Sequence, residues 1–153
     1  MWERLRRFSA LERPAHRLFL RASVLLPLIS LSLRLRGFGK TQASLQRFLA
    51  VASTTKNPSS QDLPSLVARM VRAAEYHGFG HPTCLAESLA LWWLLGREGI
   101  VSDLRVGVRN DGQKFEAHAW VECDGVVLNE PEARHLHFAA FDAALASLPP
   151  VPR

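Results

Sequence analysis

Cys84, His118 and Glu130 are the residues of this chain whose types could together carry out nucleophilic catalysis. A thiol attacks a carbonyl only as the thiolate, and an imidazole can take up and return a proton near neutral pH. A third group that accepts a hydrogen bond from the imidazole fixes its tautomer and its orientation. The three residue types therefore indicate acyl transfer through a cysteine, if the fold brings them together.

Cys84 lies at the start of a predicted helix, which runs from Thr83 to about Glu98 and ends at Gly99. The first N–H groups of a helix have no acceptor within the helix. Together with the helix dipole they favour a thiolate and an oxyanion. Taken alone, Cys84 is equally compatible with an inert buried thiol, because cysteine is among the most buried residue types. Cys123 is predicted to be a bystander, because it lies at a turn.

His118 and Glu130 lie on neighbouring strands of a predicted antiparallel meander. The segments 103–109, 115–122 and 126–130 are predicted strands, and Asn-Asp-Gly and Cys-Asp-Gly are the turns between them. The order of elements, helices followed by an antiparallel sheet, predicts an α+β fold in which the cysteine-bearing helix packs on the sheet.

The length of the second turn decides which residue reaches His118. A two-residue loop, Asp124–Gly125, would pair Cys123 with Val126. Asn129 would then be the nearest polar neighbour of His118 on the next strand. Asp124, in the loop itself, is a second alternative.

A three-residue loop gives a different partner. With Gly125 in the left-handed third position, Glu122 pairs with Val126, and Glu130 lies directly opposite His118. Because a three-residue loop requires glycine at this position, we favour this register, and with it Glu130 over both alternatives.

Other residues that could carry chemistry are predicted to have minor roles. His77, His81 and Cys84 could ligate a metal, but the glycines and proline between them interrupt the helix that would align them. No metal or other cofactor is therefore predicted. Arg105 and Trp120, on the strands beside the predicted site, are weak candidates for contacts with substrate.

The composition is that of one globular protein. The chain has 153 residues, of which 48% are hydrophobic and 22% charged, and it contains two cysteines. A disulfide scaffold is excluded, and a reducing compartment, the cytoplasm, is expected. A polar loop over residues 53–64 predicts a boundary between a basic, Leu/Arg-rich helical segment, 1–52, and a catalytic core, 65–153.

The positive charge is concentrated at the N-terminus. Residues 1–40 carry nine arginines and lysines against two glutamates, whereas the whole chain has a net charge of +5. No aromatic residues alternate with these arginines as in nucleic-acid-binding surfaces, so no nucleic-acid partner is predicted. The apolar run Ala22–Leu33 is shorter than the ~20 residues of a spanning helix. It predicts a buried helix kinked at Pro27, with peripheral membrane contact as a weaker alternative.

Three stretches of the sequence resemble a known family. "CLAESLALWWLLGREGI" (84–100), "LRVGV" (104–108) and "AHAWVECDGVVLNE" (117–130) are similar to the transglutaminase-like cysteine peptidases that remove leader peptides in lasso-peptide biosynthesis. The resemblance covers residues 67–130, and more loosely the N-terminus.

The resemblance implies a papain/transglutaminase-like core in which Cys84 is the nucleophile, His118 the base and Glu130 the orienting acid. Many relatives have aspartate at the position of Glu130. The implied reaction is hydrolysis of the bond between leader and core peptide by acyl transfer to water.

The resemblance also implies partners. Residues 1–50 lack the strands and turns of a leader-binding module, so the chain resembles the stand-alone form of the peptidase. This form acts on a precursor peptide together with a separate leader-recognition protein, and a cyclase acts next. The alternative is a protein of the same fold that is inactive, or that transfers the acyl group to an amine, and serves as a peptide-binding or maturation module.

Overall fold

A computed structural model describes residues 13–51, 62–78, 82–110, 112, 114–130, 133–141 and 146–147. These residues form three α-helices followed by a small antiparallel sheet. The helices are α1 (Arg13–Val51), α2 (Leu63–His77) and α3 (Cys84–Arg97). The strands are β1 (Asp103–Asn110), β2 (Phe115–Cys123), β3 (Val126–Val127), β4 (Ala139–Ala140) and β5 (Ala146–Ser147), and a 3-10 helix spans Arg134–His137. The predicted α+β fold is confirmed.

The strand order of the sheet is β3-β2-β1-β4, and β5 also pairs with β1. The predicted meander of β1, β2 and β3 is present, but β3 ends at Val127 and not at residue 130. The sheet also has two short strands, β4 and β5, that the sequence analysis did not predict. Gly107 of β1 pairs with Ala140, and Leu104 pairs with Ala146, so β4 and β5 lie along one edge of β1. Strands of two residues are too short for apolar alternation to reveal.

The helix α3 lies at the centre of the core. Leu89, Leu91 and Trp92 on it are completely buried, and it contacts α1, α2, β1 and β2. Its N-cap is Thr83, whose side chain accepts a hydrogen bond from the Ala86 N–H at 3.3 Å. Because this helix is held on all sides, its first residue, Cys84, has a fixed place relative to the sheet.

The helix α1 is interrupted at Gly37. Backbone angles within it are helical except at Gly37, where φ is 76° and ψ is 176°. Ser32 and Thr41, on opposite sides of Gly37, share a hydrogen bond of 2.8 Å. The backbone at Pro27 is helical, so α1 continues through the position at which the kink was predicted.

Only one side of α1 is buried. Ala22, Leu26 and Ile29 are at most 4% exposed, whereas Val24 and Leu28 are about 60% exposed. The prediction of a buried helix therefore holds for one side alone. By length and composition the stretch 14–49 is the one candidate for a membrane span in the described part of the chain, and core helices of soluble proteins meet the same criterion.

Candidate active site

Cys84 is the first residue of α3 and is half-buried. It lines a cavity of about 180 Å³ together with His118 of β2. The rest of the lining is mostly apolar and includes Phe38, Leu85 and Val106. The thiol and the imidazole thus line one small, largely apolar cavity at the start of α3, where the first N–H groups of the helix have no acceptor within it.

The imidazole of His118 is oriented by Glu130. Its Nε2 is hydrogen-bonded to Oε1 of the glutamate, and both side chains are less than a tenth exposed. This bond uses one ring nitrogen and leaves Nδ1 for chemistry in the cavity. A carboxylate in this position stabilises an imidazolium and selects one tautomer of the neutral ring.

The register that was expected to aim Glu130 at His118 is wrong. Cys123 pairs with Val126, so the loop has the two residues Asp124 and Gly125. Both have positive φ, 50° and 77°, as a type I′ turn requires. Aspartate tolerates this conformation, and the shorter loop is therefore available to this sequence.

Glu130 reaches His118 because the chain leaves the ladder after β3. The Leu128 N–H still donates to Val121 O, at 3.0 Å. The Val121 N–H, however, donates to the side-chain oxygen of Asn129, at 2.9 Å. The side chain of Asn129 thus replaces a backbone acceptor, and the departing chain carries Glu130 to the imidazole. Glu130 was predicted as the partner, but for a register that does not occur.

A buried polar network fixes the point at which the chain leaves the sheet. Asn129 donates to the Ser88 hydroxyl at 3.0 Å, and Ser88 donates to the carbonyl of Ala119 at 2.9 Å. Ser88 is completely buried on α3, one helical turn after Cys84. The network therefore ties the helix of the thiol to the strand of the imidazole. Sequence reasoning missed Ser88, although a serine within a leucine-rich helix is a recognisable signal.

Aromatic side chains pack around the imidazole. The ring of Trp120 stacks with that of His118 at 6.2 Å between centroids, and the ring of Phe138 lies 5.1 Å away. Gly107, opposite His118 on β1, leaves room for them: a Cβ there would lie 2.9 Å from atoms of both aromatic residues. Sequence reasoning missed Gly107 too.

Comparison with known proteins gives one match. A family model described as "Transglutaminase-like superfamily" matches residues 25–141, well over half of the chain. The chain belongs to the transglutaminase-like superfamily. No curated protein and no solved structure matches it. The predicted place in lasso-peptide biosynthesis is not addressed by this match and stays a prediction.

The geometry of this transglutaminase-like protein gives no support to Arg105 and Trp120 as substrate contacts. Neither lines the cavity of Cys84. The guanidinium of Arg105 is paired with Glu122 at 3.2 Å. Trp120 is 2% exposed and donates its indole N–H to Glu122 at 2.9 Å. Both side chains stabilise the strand that carries His118.

The remaining candidates for chemistry lie elsewhere. The described residues contain no cluster of three or more potential metal ligands, and His81 is outside them. Cys123 belongs to the hydrophobic core, and burial raises the pKa of its thiol above the usual range. Of the two thiols, Cys84 is therefore the more accessible one.

Glu87 is an unexpected titratable group near the site. It lies in the first turn of α3. Burial raises its pKa to about 7, and the charges of Glu75 and Glu130 add to this effect. The guanidinium of Arg72 acts in the opposite direction. A carboxyl group that stays protonated up to neutral pH therefore lies on the helix of the thiol.

Proposed function

We propose that this protein is a cysteine peptidase with the triad Cys84, His118 and Glu130. The observation that carries the proposal is the buried bond from Glu130 to His118, because it orients an imidazole that lines the same cavity as the thiol at the helix start. Each of the three groups then has the surroundings that its role requires.

The proposed reaction is hydrolysis of an amide in two steps. His118 takes the proton of the Cys84 thiol, and the sulfur attacks the scissile carbonyl. N–H groups at the start of α3 stabilise the oxyanion, and the imidazolium gives its proton to the departing amine. In the second step His118 removes a proton from water, the hydroxide attacks the thioester, and the carboxylic acid product leaves while the thiol is restored.

The proposed substrate is a lasso precursor peptide, which is cleaved at the bond between its leader and its core. The sequence resemblance over residues 67–130 supports it, and the two free thiols are compatible with the cytoplasm as the place of action. In this proposal a separate recognition protein delivers the precursor, a cyclase closes the released core peptide, and the basic N-terminal segment contributes to docking.

The deciding experiment is mass spectrometry of a lasso precursor peptide incubated with its recognition protein and this enzyme. We expect cleavage at one bond by the wild type, a loss of at least about a thousandfold with Cys84→Ala, and nearly full activity with Cys123→Ala as the matched control. Equal cleavage by Cys84→Ala would refute the mechanism. Adding an amine donor separates hydrolysis from amine transfer, since a product carrying the amine would show the latter.

A further inference from the structure

Two further cavities along α1, which together are called the groove, lie next to the cavity of the candidate active site. The active-site cavity shares Phe38 and Leu85 with a second cavity of about 270 Å³. The second cavity shares Ser30 and Arg34 with a third one of about 650 Å³, which lies between α1 and α2. The three cavities thus lie next to one another in a row that ends at the cavity of the thiol.

The lining of this groove is apolar at its base and polar at its margin. Leu26 is buried at the base, and Leu20 and Leu31 are about half exposed at the edges. Arg34 from α1 and Glu75 from α2 add one charge of each sign. Such a lining suits a chain with apolar side chains whose own backbone remains accessible to water.

The dimensions also fit a peptide. At ~1.5 Å per residue, the part of α1 from Leu20 to Arg34 is about 21 Å long. An extended peptide advances ~3.3 Å per residue, so this part of the groove holds about six residues. The two smaller cavities between Arg34 and Cys84 add room for about two more.

We propose that this groove binds an extended, leucine-rich segment of the substrate on one side of the scissile bond. The inference rests on the proposed peptidase function and adds to it a substrate class: peptides with apolar side chains within about eight residues of the cleavage site. The row of neighbouring cavities that ends at Cys84 favours a substrate chain over other occupants, because a chain that follows this row reaches the thiol. In this proposal α1 forms one wall of the substrate site.

The test uses electrophilic peptides that alkylate Cys84. Peptidyl chloromethyl ketones carry the peptide on the side of the scissile bond that becomes the acyl group. Bromoacetyl peptides carry it on the side of the departing amine. Each series has tails of two and of eight residues, with leucine at alternate positions, and matched tails with glutamine in place of leucine. The second-order rate of adduct formation is measured by mass spectrometry.

The variants form a matched pair on one helix. Leu31→Glu places a charge in the groove, whereas Leu28→Glu makes the same change at a residue that is 58% exposed and does not line these cavities. In one of the two series we expect the eight-residue leucine tail to react at least tenfold faster than the two-residue tail. We expect Leu31→Glu to abolish most of this gain, and Leu28→Glu to change it less than twofold.

Several results would overturn the proposal. The groove is not a substrate site if tail length has no effect in either series, or if the two variants behave alike. A shift from dimer to monomer caused by Leu31→Glu, seen by size-exclusion chromatography with light scattering, would indicate that a second copy of the chain occupies the groove.

A binding measurement separates this inference from the proposed function. The fluorescein-labelled eight-residue leucine peptide, without electrophile, is titrated against Cys84→Ala and followed by anisotropy. Binding that is weakened by Leu31→Glu but not by Leu28→Glu supports the groove even if Cys84 proves unreactive. Reactive Cys84 without such binding refutes the groove and leaves the peptidase proposal standing.

Discussion

Glu130 and His118 face each other with little solvent between them. A carboxylate buried against a histidine is well placed to balance an imidazolium, and the same burial makes its charge hard to replace. Glutamate also fits this backbone, because the chain leaves the sheet at Asn129 and approaches the ring from beyond the end of β3. Glutamate has one methylene more than aspartate, and this methylene spans part of the distance between the backbone and the ring of His118.

Substitutions at Glu130 test this role. Glu130→Gln keeps the shape and removes the charge, so we expect kcat to fall between about a hundredfold and ten-thousandfold. Glu130→Asp should retain more activity, since it keeps the carboxylate. Steady-state kinetics with the substrate of the proposed reaction measure both, and thermal unfolding is the control for folding. Equal activity of the Gln and Asp variants would contradict a role for the charge.

The raised pKa of Glu87 predicts how the free energy of unfolding depends on pH. Its pKa is about 7 in the folded protein and 4.5 as the reference for the unfolded chain. Between these values the folded state holds a proton that the unfolded state has released, so stability falls as pH rises from about 4.5 to 7. The loss is at most about 3 kcal/mol, and less where solvent screens the half-buried carboxyl group.

Glu87→Gln removes this dependence. We expect it to leave stability nearly unchanged at pH 4.5 and to increase it at pH 8, as measured by urea unfolding at both values. Glu116→Gln is the control, because Glu116 is exposed and paired with Arg109. Parallel curves for wild type and Glu87→Gln would show that this carboxyl group titrates normally.

At the level of elements, the β1–β2 hairpin shapes the site through Gly107. A Cβ at Gly107 would contact Phe138 and Trp120 at 2.9 Å, and these rings pack on His118. We expect Gly107→Ala to cost about 1–3 kcal/mol by overpacking and to lower kcat at least tenfold by moving the imidazole.

Gly39→Ala is the matched control for this prediction. Gly39 has no atom within 4 Å of an added Cβ, and it lies within the helical backbone of α1. Alanine there should leave kcat unchanged and stabilise the helix slightly. Urea unfolding and steady-state kinetics of both variants make the comparison. Normal kcat in Gly107→Ala would mean that the rings do not position His118.

At the level of the whole molecule, α1 shares one hydrophobic cluster with α2, α3 and the sheet. Arg21 of α1 also pairs with Glu98, the residue directly after α3, at 3.1 Å, and Trp93 of α3 donates to the carbonyl of Leu45 at 3.1 Å. A boundary at residues 53–64 in the sequence therefore does not separate two hydrophobic cores.

This shared core predicts a single unfolding transition. Circular dichroism, to which α1 contributes most of the helical signal, and the fluorescence of a Trp2→Phe variant, which keeps only the tryptophans of α3 and β2, should give the same urea midpoint. Leu26→Ala should lower stability by about 2–5 kcal/mol in both signals, because Leu26 is 4% exposed. Leu28→Ala, at 58% exposed, should change stability by less than about 0.5 kcal/mol. Two separate midpoints would favour independent domains.

Local pattern was enough to predict the helix α3, the strands β1 and β2, and the helix-start position of Cys84. Each of these depends on apolar periodicity or on a turn signal within one segment, and such signals are present in the sequence itself. The strands β4 and β5 were missed, because two residues carry no period. A kink of α1 was predicted at Pro27, and the residue with non-helical backbone is Gly37.

Tertiary structure decided how Glu130, the third member of the site, reaches His118. The sequence placed Glu130 near His118, but by a hairpin register that the fold does not use. The actual approach depends on Asn129 bonding to the Val121 backbone and to Ser88 of α3, contacts between residues far apart in the chain. The same holds for Gly107 and for the groove along α1, since close approach between elements has no local period. The sequence thus determined which side chains are available for chemistry, and packing decided which of them meet.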